Sequence, residues 1–273
     1  MEENRPELIV KSNKLIESPN TLTTFEQRII LYVCSLINPY DTDFQEYSIY
    51  IPTYRKLIGI SQGYNNQVIK ERLTELLKKV IEIRPDNNSD HFILTHWLSS
   101  ADVDFESSTI KIKIYPALKP YLLQIKANFT SYQLKQVIRF QNKYSFKIYE
   151  LLKQYERFKS RTFELGQLKY FLGIQKHEYQ TYKNFKNRIL LPVTEEISTK
   201  ADMMVSFDQI THGRKVTGIK FLMTTKPQVI TESSWQTIIN LIPEEHRDKQ
   251  TIMEILRPFY DEYGADRVIR SIK

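Results

Sequence analysis

The chain has 273 residues, 41% of them hydrophobic, with 39 Lys/Arg against 32 Asp/Glu for a net charge of +7. That length supports about two domains with real cores, and the single cysteine, Cys34, excludes an internal disulfide framework and fits a reducing cytoplasm. Apolar runs such as residues 29–33 fall far short of the ~20 residues that cross a bilayer, the acidic, polar residues 1–6 do not read as a signal peptide, and 7 glycines leave little material for glycine-rich phosphate loops.

In chain order, Thr23 and Glu26 form a capping-box pattern that opens an apolar helix carrying Phe25, Ile29, Tyr32, Val33, Leu36 and Ile37. With Ile30, Leu31 and Cys34 this helix is apolar nearly all round, which fits either a dimer interface or enclosure within the domain. Residues 49–60 read as a short strand, with Ile49 and Ile51 on one face, then a helix of little more than one turn stopped by Gly59. Residues 66–79 form a second helix with an amide-rich start. Strands follow at 80–84, 92–98 and 110–115; in the last, Lys111 and Lys113 alternate outward against Ile110, Ile112 and Ile114. Residues 116–141 read as a largely helical bridge.

Ser145 is the expected N-cap of a helix bearing Phe146, Tyr149, Leu152 and Tyr155. Residues 163–174 read as strand, short helix and glycine stop, and 182–197 as a second helix that Pro192 kinks or restarts. Residues 203–210 and 216–223 are strands around a tight turn at 211–215. In the remainder, 235–241, 244–263 and 265–273 read as short helices, still amphipathic at Lys273, which leaves open whether the natural chain continues.

Two long-range patterns organise these pieces. Residues 49–60 align without gaps on 163–174 at an offset of 114, each strongly apolar position of the second copy meeting an apolar or aromatic residue in the first. Each copy is flanked by an upstream packing helix, a second helix and strands, which is the order of a winged helix. Charge is also segregated. Residues 126–226 hold 19 Lys/Arg against 8 Asp/Glu, while 1–125 hold 14 against 16 and 227–273 hold 6 against 8. Because a phosphate backbone responds to cations within about one Debye length, roughly 8 Å at physiological salt, the middle segment is the expected polyanion binder. The expected architecture is α+β: two tandem winged-helix domains, 1–125 and the basic 126–226, with a small helical extension at 227–273.

A recognition helix needs short amides and basic groups on its first turns, since Asn and Gln pair with adenine and Arg or Lys with guanine in the major groove. In the second copy the candidates are Tyr182, Lys183, Asn184, Lys186, Asn187 and Arg188, with Lys176 and His177 in the preceding turn and Arg214 and Lys215 at the wing tip. In the first copy they are Gln62, Asn65, Asn66, Gln67 and Lys70, in a segment without net positive field. Arg139, Lys143, Lys147, Arg157, Lys159 and Arg161 are further positioning candidates.

Catalytic signatures fare worse. Residues 213–220 lack the lysine that a phosphate loop needs directly after its second glycine, Ile219 standing there. His91, His96, His177, His212 and His246 contain no metal-binding pair one residue apart, and one Cys with scattered His offers no zinc cluster. Asp102 and Asp104 could imitate a two-metal site but fall at an expected hairpin tip. No catalytic residue, metal or cofactor is therefore assigned.

The segment Val10-Lys11-Ser12-Asn13-Lys14-Leu15-Ile16-Glu17, followed by Leu22-Thr23-Thr24-Phe25-Glu26-Gln27-Arg28-Ile29-Ile30, resembles the opening of plasmid replication initiators of the iteron-binding, double-winged-helix type. The segments Lys143-Tyr144-Ser145-Phe146-Lys147-Ile148-Tyr149-Glu150-Leu151-Leu152-Lys153 and Phe185-Lys186-Asn187-Arg188-Ile189-Leu190-Leu191-Pro192 resemble the opening helix and recognition helix of their second domain. The resemblance covers roughly residues 8–224. It implies a cytoplasmic, non-enzymatic protein that binds short direct repeats at a plasmid origin as a monomer on double-stranded DNA, helps open the duplex and recruits host replication proteins such as a helicase and the host initiator. It further implies a homodimer through the first domain and repression of its own promoter. A dedicated transcriptional repressor is the alternative, and a primase or nicking initiator is a rival of another class.

Overall fold

The computed structural model describes residues 8–59, 65–85 and 90–226. Gln62 and the helices expected beyond residue 226 lie outside them. One compact unit, Met1–Thr224, holds both copies.

The chain opens with β1 (Leu8–Ser12) and the single turn α1 (Asn13–Ile16), then α2 (Thr24–Leu36). Thr23 caps α2 as its sequence predicts: the Thr23 hydroxyl accepts from the Glu26 N–H, and the Glu26 carboxylate accepts from the Thr23 N–H at 2.7 Å. The helix is buried on nearly every side within the chain, at Phe25, Ile29, Ile30, Leu31, Val33 and Cys34, so enclosure accounts for its apolar character. Burial also pushes the Cys34 thiol up to about 11, which keeps it protonated and inert.

The first copy continues with β2 (Glu46–Tyr50), α3 (Ile51–Ile58), α4 (Asn66–Leu77), β3 (Val80–Ile83), β4 (Ile93–His96), β5 (Leu98–Asp104) and β6 (Thr109–Ile114). After α5 (Lys119–Leu122) and β7 (Phe129–Gln133), the second copy runs through α6 (Lys143–Lys153), β8 (Ser160–Glu164), α7 (Leu165–Phe171), α8 (Tyr182–Phe185), a π turn at Lys186–Leu190, α9 (Leu191–Lys200), β9 (Met203–His212) and β10 (Lys215–Thr225).

The repeat survives residue for residue. The strand-to-helix junctions fall at Tyr50/Ile51 and Glu164/Leu165, and the stops at Gly59 (φ 73°) and Gly173 (φ 66°) are both left-handed. Each copy folds a three-stranded antiparallel sheet of matching order, β2-β6-β5 and β8-β10-β9. In each, the strand before the short helix pairs with the second strand of the wing, Ile49 facing Ile110 and Phe163 facing Ile219. All four of these residues are buried. Lys111 and Lys113 point outward as the alternation requires.

Three expectations need correction. The first copy carries four strands after its second helix: β3 and β4 form a separate two-stranded hairpin, and the true wing is β5–β6. The bridge is not largely helical, because Phe129–Gln133 is a strand pairing antiparallel with β1 (Val10 opposite Ser131), its Thr130 and Tyr132 buried and its Phe129 and Ser131 exposed with the period of two. Ser145 is not the cap of α6. Asn142 is, accepting from the Tyr144 N–H at 3.0 Å, while the Ser145 hydroxyl donates to Glu196 on α9 at 2.7 Å.

The two copies meet along a polar seam closed off from water. Lys11 of β1 donates to Glu150 of α6 at 2.7 Å, both side chains at 7% exposure or less, and Tyr132 of β7 donates to the same carboxylate oxygen. Lys147, one turn earlier on α6, donates to the Ile16 carbonyl. Burial pushes the Lys147 ammonium down to about 8. Burial raises the Glu150 carboxyl, but the neighbouring Lys11 and Lys147 outweigh it and hold it below the usual carboxylate range. Arg28 adds a buried bond to the Phe140 carbonyl at 2.7 Å, and Gln27 one to the Lys143 carbonyl at 2.8 Å. Arg161 reaches Glu17 at 2.9 Å.

Two stability predictions follow from these contacts. A Cβ on Gly173 would stand 2.3 Å from the Asn20 carbonyl oxygen, whereas one on Gly59 meets nothing within 4 Å. Gly59→Ala is therefore expected to cost only the left-handed strain, about 1–2 kcal/mol, and Gly173→Ala about 3 kcal/mol or more, as read from urea unfolding. Truncating Glu150 to Ala should cost about 3–5 kcal/mol at neutral pH by leaving Lys11 buried without its partner. Because the folded Glu150 carboxyl titrates below its unfolded value, its contribution is present above the ordinary carboxylate pKa, about 4.3. It is lost as pH falls through the folded value, so the gap between wild type and variant should shrink on acidification.

Candidate nucleic-acid interface

The second helix-turn-helix is built tightly around its turn. Lys169 of α7 donates to the Tyr179 carbonyl at 2.7 Å, with its ammonium over the Phe185 ring and its pKa lowered by burial. Glu178 accepts from the Gln175 N–H at 2.9 Å, and Thr181 caps α8 through the Asn184 N–H. Lys176 and His177 lie exposed on this turn.

Pro192 restarts the helix as its sequence predicts, standing in the first turn of α9. Its ring would clash with the carbonyl four residues back and it has no N–H to donate. The chain instead opens into the π turn Lys186–Leu190, where the Leu191 N–H bonds five residues back to the Lys186 carbonyl. The Thr194 hydroxyl donates to the Leu190 carbonyl at 2.9 Å. The wider turn also keeps the packed face in register. Phe185, Ile189, Val193 and Ile197 are all buried although three steps of four residues in a pure α-helix would drift by about 120°.

The opposite face presents Lys183, Asn184, Asn187 and Arg188, all exposed, with Lys186 half-buried. Tyr182 packs inward: its ring is half-buried, its hydroxyl is enclosed without a partner among the described residues, and burial raises its pKa. At the tip of the β9–β10 wing, Gly213 (φ 60°) makes the tight turn that exposes His212, Arg214 and Lys215.

Part of the acidic complement of the second copy is ion-paired. Glu156 and Asp202 are taken up by Lys153, Glu196 by Lys200, and Glu150 by Lys11. Lys176, Lys183, Arg188, Arg214 and Lys215 have no ion pair among the described residues.

The first copy offers a weaker counterpart. Asn65 is consumed as the N-cap of α4, accepting from the Val68 N–H at 2.8 Å, and Gln67 donates to Glu71 at 2.8 Å. Asn66 and Lys70 are exposed, but Glu71 and Glu75 share the helix surface and Glu75 pairs with Lys78.

Two positioning candidates are displaced from any such role. Lys147 and Arg161 are seam residues with side chains turned inward, Arg161 lying between the Tyr155 and Phe163 rings and bonded to the Leu151 carbonyl. Arg139, although exposed, is engaged with the Leu57 carbonyl. Arg157 and Lys159 remain exposed. Sequence reasoning missed Lys11 and Glu150 as partners; the available signal was Lys147 and Glu150 three residues apart on an otherwise apolar helix face.

The enzymatic candidates resolve into structure. Asp102 and Asp104 lie within strand β5 rather than at the hairpin tip expected for them: Asp102 stands opposite Lys111 in the β5–β6 pair, and the Ser107 hydroxyl, together with the Glu106 and Ser107 N–H groups, holds the Asp104 carboxyl low. Residues 213–220 are wing turn and strand, and no metal-competent cluster occurs among the described residues.

Two copies of one strand–helix–turn–helix–wing unit in a single body, the later one with an unneutralised basic face, define a tandem winged-helix protein. The chain belongs to the replication-initiator family: residues 8–153 match its Initiator Replication protein WH1 domain and 164–223 its Initiator Rep protein WH2 domain. It is 29% identical over 213 residues to a replication initiation protein of Escherichia coli, a match covering 74% of this chain and 66% of that protein, just under two thirds of its length. Its fold is similar to that of the Pi initiator protein, solved in complex with iteron DNA, with a TM-score of 0.70 at 21% identity over 82% of this chain and 99% of that one.

If the wing tip lies on the DNA backbone, Arg214→Ala and Lys215→Ala should each lower the slope of log affinity against log salt for duplex DNA by about 1. Titrations at several salt concentrations read that slope directly; an unchanged slope places the tip away from phosphate.

Proposed function

We propose that this protein initiates replication of a plasmid by binding short direct repeats at its origin as double-stranded DNA, with the second helices of its two winged helices in successive major grooves. The observation that carries the reading is the exposed row Lys183, Asn184, Asn187 and Arg188 beside a free basic wing tip, presented by one of two copies of a reading fold locked in one body. Asn184 and Asn187 suit adenine and Arg188 suits guanine. Lys176, His177, Arg214 and Lys215 suit phosphate. Asn66 and Lys70 of the first copy add register more than affinity. Family membership supports the reading, as does the fold shared with an initiator that binds iterons.

In this reading the protein works in the cytoplasm by binding and strain. It destabilises the origin duplex, recruits a host helicase and host initiator to perform the chemistry, and represses its own promoter, with a homodimer through the first copy as the repressing form.

Footprinting on the plasmid that encodes the chain should show protection of tandem repeats. Protection confined to one operator would make it a dedicated repressor, and a covalent tyrosine adduct or primer synthesis on supercoiled DNA with a divalent metal would make it an enzyme. Arg188→Ala should weaken specific binding by about 1–3 kcal/mol and relax discrimination at one position of the repeat; unchanged affinity in a titration removes Arg188 from the reading set.

A further inference from the structure

The corner of the second helix-turn-helix is fastened to the first copy by contacts that neither winged helix needs for its own fold. Tyr170 stands on the last turn of α7, immediately before the turn that leads into the reading helix. Its hydroxyl donates to Glu82 at 2.8 Å and accepts from the Arg84 Nε at 3.2 Å; Arg84 in turn pairs with Glu82 at 2.9 Å and lies over the Tyr170 ring at 5.6 Å. Glu82 belongs to the β3–β4 hairpin and Arg84 follows directly on β3, the hairpin that the second copy does not have. One residue further on, the Phe171 carbonyl accepts from the Asn20 N–H at 3.1 Å, and Gly173 lets the Asn20 backbone approach too closely for any side chain. At the repeat-equivalent position of the first copy, the Leu57 carbonyl likewise accepts from outside its own copy, from Arg139 at 3.4 Å. Both reading corners are thus tied across the seam at the same place in the fold.

We propose that Tyr170, held by Glu82 and Arg84, is a spacing-determining residue: it fixes the phase between the two reading helices, so that the chain accepts DNA whose two contacted grooves stand at one separation. The inference rests on the duplex reading proposed above. Each inserted base pair rotates one groove relative to the other by about 34° and moves it by about 3.4 Å. A rigid pair of heads cannot follow that displacement, whereas a loosened pair can. Linked modules owe their joint affinity to being able to engage together, and they lose it when geometry forbids that. The latch suits this role because it is polar and partly exposed, with the Arg84 and Glu82 side chains at 40% and 28%. It can be released without opening the buried seam around Glu150.

The test uses the full chain and a duplex carrying one footprinted repeat, together with duplexes in which one or two base pairs are inserted between the two protected grooves. Wild-type protein should lose about tenfold or more in affinity per insertion. Tyr170→Phe keeps the ring and removes only the bridging hydroxyl. Glu82→Gln removes the charge that holds Arg84. Both should bind the unmodified duplex within about threefold of wild type, yet show an insertion penalty about threefold or more smaller. Insertion penalties equal to wild type in both variants would overturn the proposal. Failure of the wild type itself to protect two successive grooves would instead sink the duplex reading on which it rests.

Discussion

Lys11 on the first strand and Glu150 on the helix that opens the second copy are both withdrawn from water, and neither charge is tolerable there without the other. Their pairing forces β1, β7 and α6 into one packed layer, because Tyr132 reaches the same carboxylate and Lys147 must find the Ile16 carbonyl. A linker of ordinary flexibility between two winged helices would leave such groups hydrated. Here the bridge contributes a strand, β7, paired with the beginning of the chain, and the second copy becomes an extension of the first. Everything said of paired reading helices depends on that closure.

The same scaffold is used twice with different surfaces. In both copies apolar residues at equivalent positions, Ile49 and Phe163, Tyr54 and Leu168, Ile58 and Leu172, fill the space under the short helix, so the fold constrains the interior and leaves the exposed helix faces free to diverge. The first copy spends Asn65 on a cap and sets Glu71 and Glu75 among its basic groups, while the second ties Glu156, Asp202 and Glu196 to lysines and leaves Lys183, Arg188, Arg214 and Lys215 without an ion pair among the described residues. Affinity and register are thereby divided between two heads of one design. The β3–β4 hairpin, present in the first copy alone, turns the likeness into an asymmetric docking.

Much of this was legible in the residues. The offset of 114 placed both strand–helix junctions and both left-handed glycines, since glycine is the residue that can end a helix with positive φ. The Thr23–Glu26 box and the alternating lysines of β6 behaved as local chemistry dictates. What escaped was decided by tertiary contact. Phe129–Gln133 is too short and too polar to declare itself a strand without β1 beside it. Lys147 and Arg161 carry charge and so read as surface until the partners that bury them, Ile16 and Glu17, are brought from 131 and 144 residues away in sequence. The π turn at Lys186–Leu190 was visible only as a proline in the wrong place.

The central claim is that both winged helices form a single cooperative body. Trp97 lies against Lys11 at the seam, so in a Trp235→Phe background, which leaves Trp97 as the one tryptophan of the chain, its fluorescence during urea unfolding reports the closure, while hydrogen exchange of the β8–β10 amides, followed in the same urea series, reports the second copy. The account predicts one transition with a common midpoint for both probes. Two separated transitions, with β8–β10 protection surviving after the Trp97 signal is lost or the reverse, would contradict it.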